Sequence, residues 1–353
     1  MTDTGVRRGR PARAARAVLT GLRRTAATAL LLALVPVTAA LLVAAGVLCA
    51  PVSLATRGPW RPVRIIGFAL LYLLVDLTGL AAAAWLWARR LPAGRDRARR
   101  RAEDAFALLE RLLRSLRRAG ERIFRLRVTV TPPPPGASGG AAAPVLVFVR
   151  HAGVGDSFLL LQVLLCSAGL RPHTVLKRTL RADPALDVLV GRVPHCFLPA
   201  FGRRAEDAIG ELAAGLGPGD ALVIFPEGGN FTPRRRLRAI ASLRRRGLRR
   251  RADRAERMRH VLPPRDAGAL AALAAAPTAD VVFVAHTGLD VLHSARTVWG
   301  RLPLREGVRA RWWRVPASRV PSGDAARSEW LLAQWARVDR WVAEHAGPDA
   351  THA

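Results

Sequence analysis

A histidine and an aspartate at the end of an apolar run are the residues best suited to chemistry in this sequence. The stretch VLVFVRHAGVGDS covers residues 145–157 and places His151 five positions before Asp156. A histidine can accept a proton from a hydroxyl near neutral pH, provided that a carboxylate holds its other ring nitrogen in the correct tautomer. Gly153 and Gly155 allow the chain to fold back, so that Asp156 can reach His151. The pair is predicted to be a general base and the group that orients it.

The hydroxyl that this base would activate is predicted to belong to a bound substrate. No G-x-S-x-G elbow joins a predicted strand to a helix, and the three cysteines have no spacing typical of nucleophiles, metal ligands or disulfides. Ser157 is the one adjacent hydroxyl that could act as a nucleophile instead. A purely structural alternative is that Asp156 caps the following helix and that His151 has no role.

The part of the chain that would position this pair alternates between predicted strands and helices. Such alternation predicts an α/β fold with a largely parallel central sheet flanked by helices. In that architecture the strand ends deliver functional residues into a crevice at the carboxyl edge of the sheet. The predicted strands are Leu126–Val130, Val145–Val149, Thr174–Leu176, Cys196–Leu198, Ala221–Phe225 and Val281–Ala285, and the predicted helices are Phe158–Ser167, Ala205–Leu216, 234–259 and 326–345.

Two long apolar runs precede this domain. No charged residue occurs from Thr25 to Thr56, and the run from Ile65 to Ala88 is interrupted only by Asp76. Each run is long enough for a membrane helix, and arginines are concentrated outside the hairpin that the two would form. The prediction is a protein of the cell membrane with its catalytic domain on the cytosolic side. Pro36 and Asp76 leave open a hairpin that enters only one leaflet.

The formal net charge of +30 indicates an anionic partner, either a membrane surface or a nucleic acid. Residues 95–125 predict a basic amphipathic helix that either lies on a bilayer or packs on the soluble domain. A non-enzymatic membrane-surface or nucleic-acid-binding protein is therefore an alternative. The arginine runs lack the interleaved aromatic residues of nucleic-acid binders, except for Trp312 and Trp313, so no nucleic-acid partner is predicted.

Four segments occur in an order and spacing that resemble those of the glycerolipid acyltransferases, the 1-acylglycerol-3-phosphate acyltransferase family. They are FVRHAGVGDSF, VLKRTLRADP, VIFPEGGNFTPRRR and ADVVFVA, and the resemblance covers residues 126–345. HVLPPRDAGAL and WLLAQWARVDRW are similar to the branch that includes lysocardiolipin and lysophosphatidylinositol acyltransferases, which also carries two amino-terminal membrane segments.

The resemblance implies a role for each of these motifs. His151 would remove a proton from a lysophospholipid hydroxyl as that hydroxyl attacks an acyl thioester directly, and Asp156 would be its partner. The loop Phe225, Pro226, Glu227 and Gly228 would bind the acceptor, with the glutamate on the glycerol backbone. The acyl donor would be acyl-CoA or an acyl carrier protein, and neither a cofactor nor a metal is implied.

Two departures from the family pattern concern the acceptor phosphate. Lys177 matches the second motif, but the arginine that closes this motif is displaced here, to Arg203. After the F-P-E-G run the family commonly has Thr-Arg, whereas this chain has Gly229 and Asn230. Either Arg234 or one of the two arginines that follow it replaces the missing contact, or the acceptor headgroup differs from that of the family.

The predicted activity is thus membrane-bound O-acyl transfer to a lysophosphatidate-like hydroxyl, with membrane lipids as partners. A lipid hydrolase or esterase that uses the same pair is the enzymatic alternative. The predicted organisation is a basic amino terminus (1–24), two membrane helices (25–90), the basic helix (91–125), the acyltransferase domain (126–346) and a tail (347–353).

Overall fold

The computed structural model describes residues 9–89, 97–134, 143–153, 155–198, 203–290 and 295–346. The chain divides into two compact units. The first contains the two long apolar helices together with the segment Thr179–Gly191, and the second contains residues 98–178 and 192–353. The tail from residue 347 onward lies outside the described residues.

Helices and strands alternate through the second unit as the sequence predicts. In the two units together, the helices are α1 (Gly9–Ala55), α2 (Arg61–Ala88), α3 (Arg97–Phe124), α4 (Asp156–Cys166), α5 (Pro184–Val190), α6 (Arg203–Ala214), α7 (Pro233–Arg245), α8 (Arg249–Arg257), α9 (Asp266–Ala275), α10 (Ala295–Arg301) and α11 (Asp324–His345). The strands are β1 (Val128–Thr131), β2 (Val145–Val149), β3 (Arg171–Lys177), β4 (His195–Leu198), β5 (Asp220–Ile224), β6 (Asp280–Thr287) and β7 (Val308–Val315).

In the first unit, α1 and α2 pack against each other and against α5. Both α1 and α2 contain a stretch that is long and apolar enough to cross a membrane, at Val18–Ala55 and Arg61–Leu86. Many of the large apolar side chains of α1 are exposed, as a lipid-facing surface would require. The segment that carries α5 is anchored by its acidic residues, because Asp187 is ion-paired with Arg23 and Arg24 at 2.8 and 2.7 Å.

The second unit is built on a seven-stranded sheet in the order β1-β7-β6-β2-β5-β3-β4. All of its neighbouring pairs are parallel except β6 with β7, which confirms the predicted largely parallel sheet. The central strands β2 and β5 are buried at every position, as expected for strands covered on both faces. Their carboxyl ends lie side by side, so the loops after Val149 and Ile224 meet at one edge of the sheet.

Among the strands, β7 is the one that the sequence patterns did not predict. Its sequence VRARWWRV carries three arginines, and its burial pattern is mixed rather than apolar. It pairs antiparallel with β6 and parallel with β1, and Trp312 donates a hydrogen bond to the carbonyl of Pro132 at 2.8 Å. Long arginine side chains are tolerated there because their charged groups reach solvent while the stems cover the sheet.

The helix α3 packs on the soluble unit with its apolar face. Ala105, Phe106 and Leu113 form a buried cluster with Leu165 of α4 and with Val193. Of the two positions that the sequence allows for this helix, the structure shows the one in which the apolar stripe is covered by protein. The arginine-dense region 234–259 is divided into α7 and α8 by a turn at Gly247, which has a positive φ of 74°.

Candidate active site

His151 and Asp156 are in direct contact at the carboxyl end of β2. The Nδ1 atom of His151 lies 2.8 Å from Oδ2 of Asp156, as the spacing of the two residues predicts. The histidine ring is partly exposed, whereas the aspartate is buried. The ring also packs against Phe225, with centroids 4.5 Å apart. Because Nδ1 faces the carboxylate, Nε2 is the nitrogen left to exchange a proton with a ligand.

The loop between the two residues folds back around the carboxylate. Oδ2 of Asp156 accepts hydrogen bonds from the backbone N–H groups of Ala152, at 2.9 Å, and Gly153, at 3.3 Å. A Cβ atom on Gly153 would overlap the carbonyl oxygen of Leu289, and Gly155 has a φ of 91°, so both positions favour glycine. The two glycines therefore allow the tight turn that brings Asp156 back to His151.

The environment keeps the Asp156 carboxyl ionised. Burial by itself raises its pKa, but the hydrogen bond and the charge interaction with His151 outweigh burial, and the pKa is lowered. Asp156 also starts α4 and accepts a hydrogen bond from the backbone N–H of Ser157 at 2.5 Å. The N-cap position of α4 is Gly155, which makes no side-chain cap hydrogen bond, so the structure shows Asp156 oriented on His151 rather than capping the helix.

Glu227 lies in the loop after β5 and is buried, with only 2% of its surface exposed. Its carboxyl group accepts long hydrogen bonds from the backbone N–H groups of His151, at 3.4 Å, and Leu262, at 3.3 Å. Burial raises its pKa to about 8, although the charge of Arg150 acts in the opposite direction. The side chain therefore joins two loops of the site, and its place beside His151 agrees with the predicted meeting of the two strand ends.

Arg150 is a site residue that the sequence reasoning did not select. It is 1% exposed and is ion-paired with Asp290. Its guanidinium group also donates hydrogen bonds to the carbonyl oxygens of His286, at 2.8 Å, and of His260, at 2.8 and 3.1 Å. The signal in the sequence was an arginine directly after five buried apolar residues, where an unpaired charge would be costly.

His286 supports the same strand end from β6. The register of β2 and β6 pairs Val147 with Val282 and Val149 with Val284, so His286 follows on the same face of the sheet. Its Nε2 atom lies 2.9 Å from the carbonyl oxygen of Arg150 and must donate this hydrogen bond. Burial and the neighbouring Arg150 lower its pKa, which keeps the ring neutral. The residue before His151 is thereby held by both its main chain and its side chain.

The remaining predicted site residues are distributed around the F-P-E-G loop. Pro226 is buried and its carbonyl accepts a hydrogen bond from the backbone of Arg265, while Gly228 has a positive φ of 68°. Lys177 and Gly229 line a cavity next to this loop. Arg234 is exposed on the first turn of α7 and is not among the residues that line this cavity, whereas its neighbour Arg235 is. Arg203 begins α6, but its side chain lies outside the described residues.

Two cavities of different character adjoin the pair of strand ends. An apolar cavity of about 520 Å³ extends over the sheet face from Asp156 and His286 to Gly219 at the opposite edge. A second cavity of about 890 Å³ lies against α7, and it contains Glu227, Gly228 and several arginines. Asp156 lines the first of these cavities and Glu227 lines the second, so the two carboxyl groups border different cavities.

Comparisons with known proteins agree with this architecture. No protein-family model matches the sequence, and the comparison with curated proteins gives no match. Among solved structures, the chain is similar to the 1-acyl-sn-glycerophosphate (LPA) acyltransferase PlsC from Thermotoga maritima, with a TM-score of 0.50 and 17% sequence identity. The alignment covers 80% of this chain and 97% of that chain. The chain therefore has the fold of this acyltransferase.

Proposed function

We propose that this protein is a membrane-bound O-acyltransferase that transfers an acyl chain from a thioester donor to the hydroxyl of a lysophosphatidate-like lysophospholipid. The observation that carries the proposal is the His151–Asp156 pair, 2.8 Å apart, whose aspartate lines an apolar cavity in a fold shared with an acyltransferase. Nε2 of His151 takes the proton from the acceptor hydroxyl as the hydroxyl oxygen attacks the thioester carbonyl. The carbon–sulfur bond then breaks, and the thiolate leaves with the proton that the imidazolium returns.

The apolar cavity is the proposed site of the acyl chain. The cavity is lined by residues of β2 and β6, including Val147, Val149 and Val284, and α4 forms one of its walls. A strand of five residues spans about 16 Å, so a cavity that runs from one edge of the sheet to the other can hold an extended hydrocarbon chain. The carbonyl end of such a chain would lie beside Asp156, next to the base.

The donor is proposed to be acyl-CoA or an acyl carrier protein. Purified protein should therefore be incubated with labelled acyl-CoA, with acyl carrier protein thioesters, and with a panel of lysophospholipids. We expect label to appear in a diacyl phospholipid and to depend on the acceptor. Release of free fatty acid at a rate independent of the acceptor would instead identify a hydrolase, and absence of both products with every donor would contradict the proposal.

The hairpin of α1 and α2 is proposed to enter one leaflet of the membrane rather than to span it. Asp183, on the segment that precedes α5, accepts a hydrogen bond from Tyr72 and lies near Asp76, close to the middle of α2. A charged segment that contacts the middle of α2 would be costly to place in the hydrocarbon core of the bilayer. The part of α2 from Arg61 to Tyr72 is only about 17 Å long, against about 30 Å for a hydrocarbon core.

Cysteine labelling can test this topology. In a variant without the native cysteines, a new cysteine at Arg57, in the connection between α1 and α2, should not react with a membrane-impermeant maleimide in intact cells and should react after detergent treatment. Arg340→Cys on the exposed surface of α11 is the matched control, because it should react in inverted vesicles. Labelling of Arg57→Cys in intact cells would show that the hairpin spans the membrane.

A further inference from the structure

The cavity beside α7 carries more positive charge than a single phosphate requires. Six cationic side chains line it, and they come from the end of β3, from α7 and the residue after it, from α8 and from the loop before α9: Lys177, Arg235, Arg238, Arg246, Arg251 and Arg265. Asp266 lines the same cavity and is ion-paired with Arg251. Five positive charges thus remain, whereas a phosphate monoester carries about two negative charges at neutral pH.

Most of these cations have no acceptor among the residues that the structure describes. Arg235 donates a hydrogen bond to the carbonyl of Asn230 at 3.0 Å. Within the described parts of the chain, the side chains of Lys177, Arg238, Arg246 and Arg265 have neither an ion pair nor a hydrogen bond. Glu227 adds little negative charge near neutral pH, because burial raises its pKa to about 8. An anionic ligand is the partner that such a set of side chains can accommodate.

The cations are spread along the cavity rather than gathered at one point. At the end nearest to His151, Gly228 lies against the guanidinium group of Arg265, and Gly229 lies against that of Arg235. Arg238 follows one turn further along α7, and Arg246 lies just beyond the end of the helix. The distance from Arg235 to Arg246 along a helix is about 16 Å, which exceeds the reach of one phosphate group.

We infer that this cavity binds a ligand with two separate phosphate groups, one beside Gly228 and Gly229 and the other between Arg238 and Arg246. The inference rests on the proposed function and specifies its substrate class. Two substrates of an acyl transfer reaction could carry such a pair: a lysophospholipid whose headgroup contains two phosphates, or coenzyme A with its diphosphate and ribose phosphate. Both would place the first phosphate near the reacting groups and the second along α7.

Binding of small phosphate compounds to the full-length protein in detergent tests the inference without any acyl transfer. Isothermal titration would compare inorganic phosphate, glycerol 1,3-bisphosphate and adenosine 3′,5′-bisphosphate. We expect at least one bisphosphate to bind about ten-fold more tightly than phosphate, since each additional charge-assisted hydrogen bond contributes. Tighter binding of the glycerol compound would assign the second phosphate to the headgroup, and tighter binding of the adenosine compound would assign it to coenzyme A.

Paired variants separate a built site from general electrostatic attraction. Arg238→Gln/Arg246→Gln should weaken binding of the preferred bisphosphate about ten-fold and leave phosphate binding unchanged. Arg245→Gln/Arg250→Gln removes the same charge from exposed positions outside the cavity lining and should change neither affinity. Equal binding of phosphate and both bisphosphates, or equal losses in the two double variants, would overturn the inference. Intact bisphosphate binding in a protein that transfers no acyl chain would refute the proposed function alone.

Discussion

Replacing His151 with alanine is expected to lower kcat for acyl transfer by about 10²–10⁴-fold, the usual contribution of a general base. Without the imidazole, no group of the pair can take the proton of the acceptor hydroxyl, since Asp156 directs its Oδ2 atom at Nδ1 of His151 and at two backbone N–H groups. The KM for the lysophospholipid should change little, because the phosphate and the acyl chain are proposed to bind elsewhere. Steady-state kinetics on the purified variant measure both values.

Asp156→Asn provides the partner experiment. The amide has the shape of the carboxylate but cannot hold the charge that stabilises an imidazolium ion, so a loss in the same range is expected. The double variant should be no slower than His151→Ala alone, because residues that act as a unit are not additive. His345→Ala, at the end of α11, is the control that should retain full activity. Near-normal transfer by His151→Ala would remove this residue as the base.

Arg150→Met is expected to destabilise the protein by about 3–5 kcal/mol, as is typical when one partner of a buried ion pair is removed. The variant leaves Asp290 buried without its cation, and it leaves the carbonyl oxygens of His260 and His286 without a donor. These groups belong to the end of β6 with the loop after it and to the loop before α9, and the side chain of Arg150 contacts both. Denaturant unfolding of the protein in detergent gives the change in the free energy of unfolding.

A matched surface variant separates this effect from the loss of one positive charge. Arg340→Met removes an exposed arginine from α11, and its free energy of unfolding should stay within about 0.5 kcal/mol of the wild type. If Arg150→Met unfolds at the same denaturant concentration as the wild type, the buried arginine does not hold the site together. A stable variant with lowered kcat would then assign Arg150 to catalysis.

Local patterns predicted the parts of the fold that short stretches determine. The five apolar residues of β2, the two glycines after His151 and the long apolar runs of α1 and α2 each specify their own conformation within a few residues. The contact between His151 and Asp156 was also predictable from the sequence, because a single tight turn of the chain is enough to form it. The strand ends after β2 and β5 were likewise predictable, since parallel strands place their carboxyl ends at one edge.

Contacts between distant segments required the tertiary structure. The sequence determined that a histidine, an aspartate and a glutamate follow buried strands, but not that Glu227 is turned inward to the backbone of His151 and Leu262. Nor did any pattern place β7 in the sheet or Asp183 against the middle of α2. Such contacts depend on which surfaces meet after the helices and strands have formed. Local periodicity does not distinguish between the possible packing arrangements. The arrangement is selected by the burial of apolar surface and by the pairing of buried polar groups.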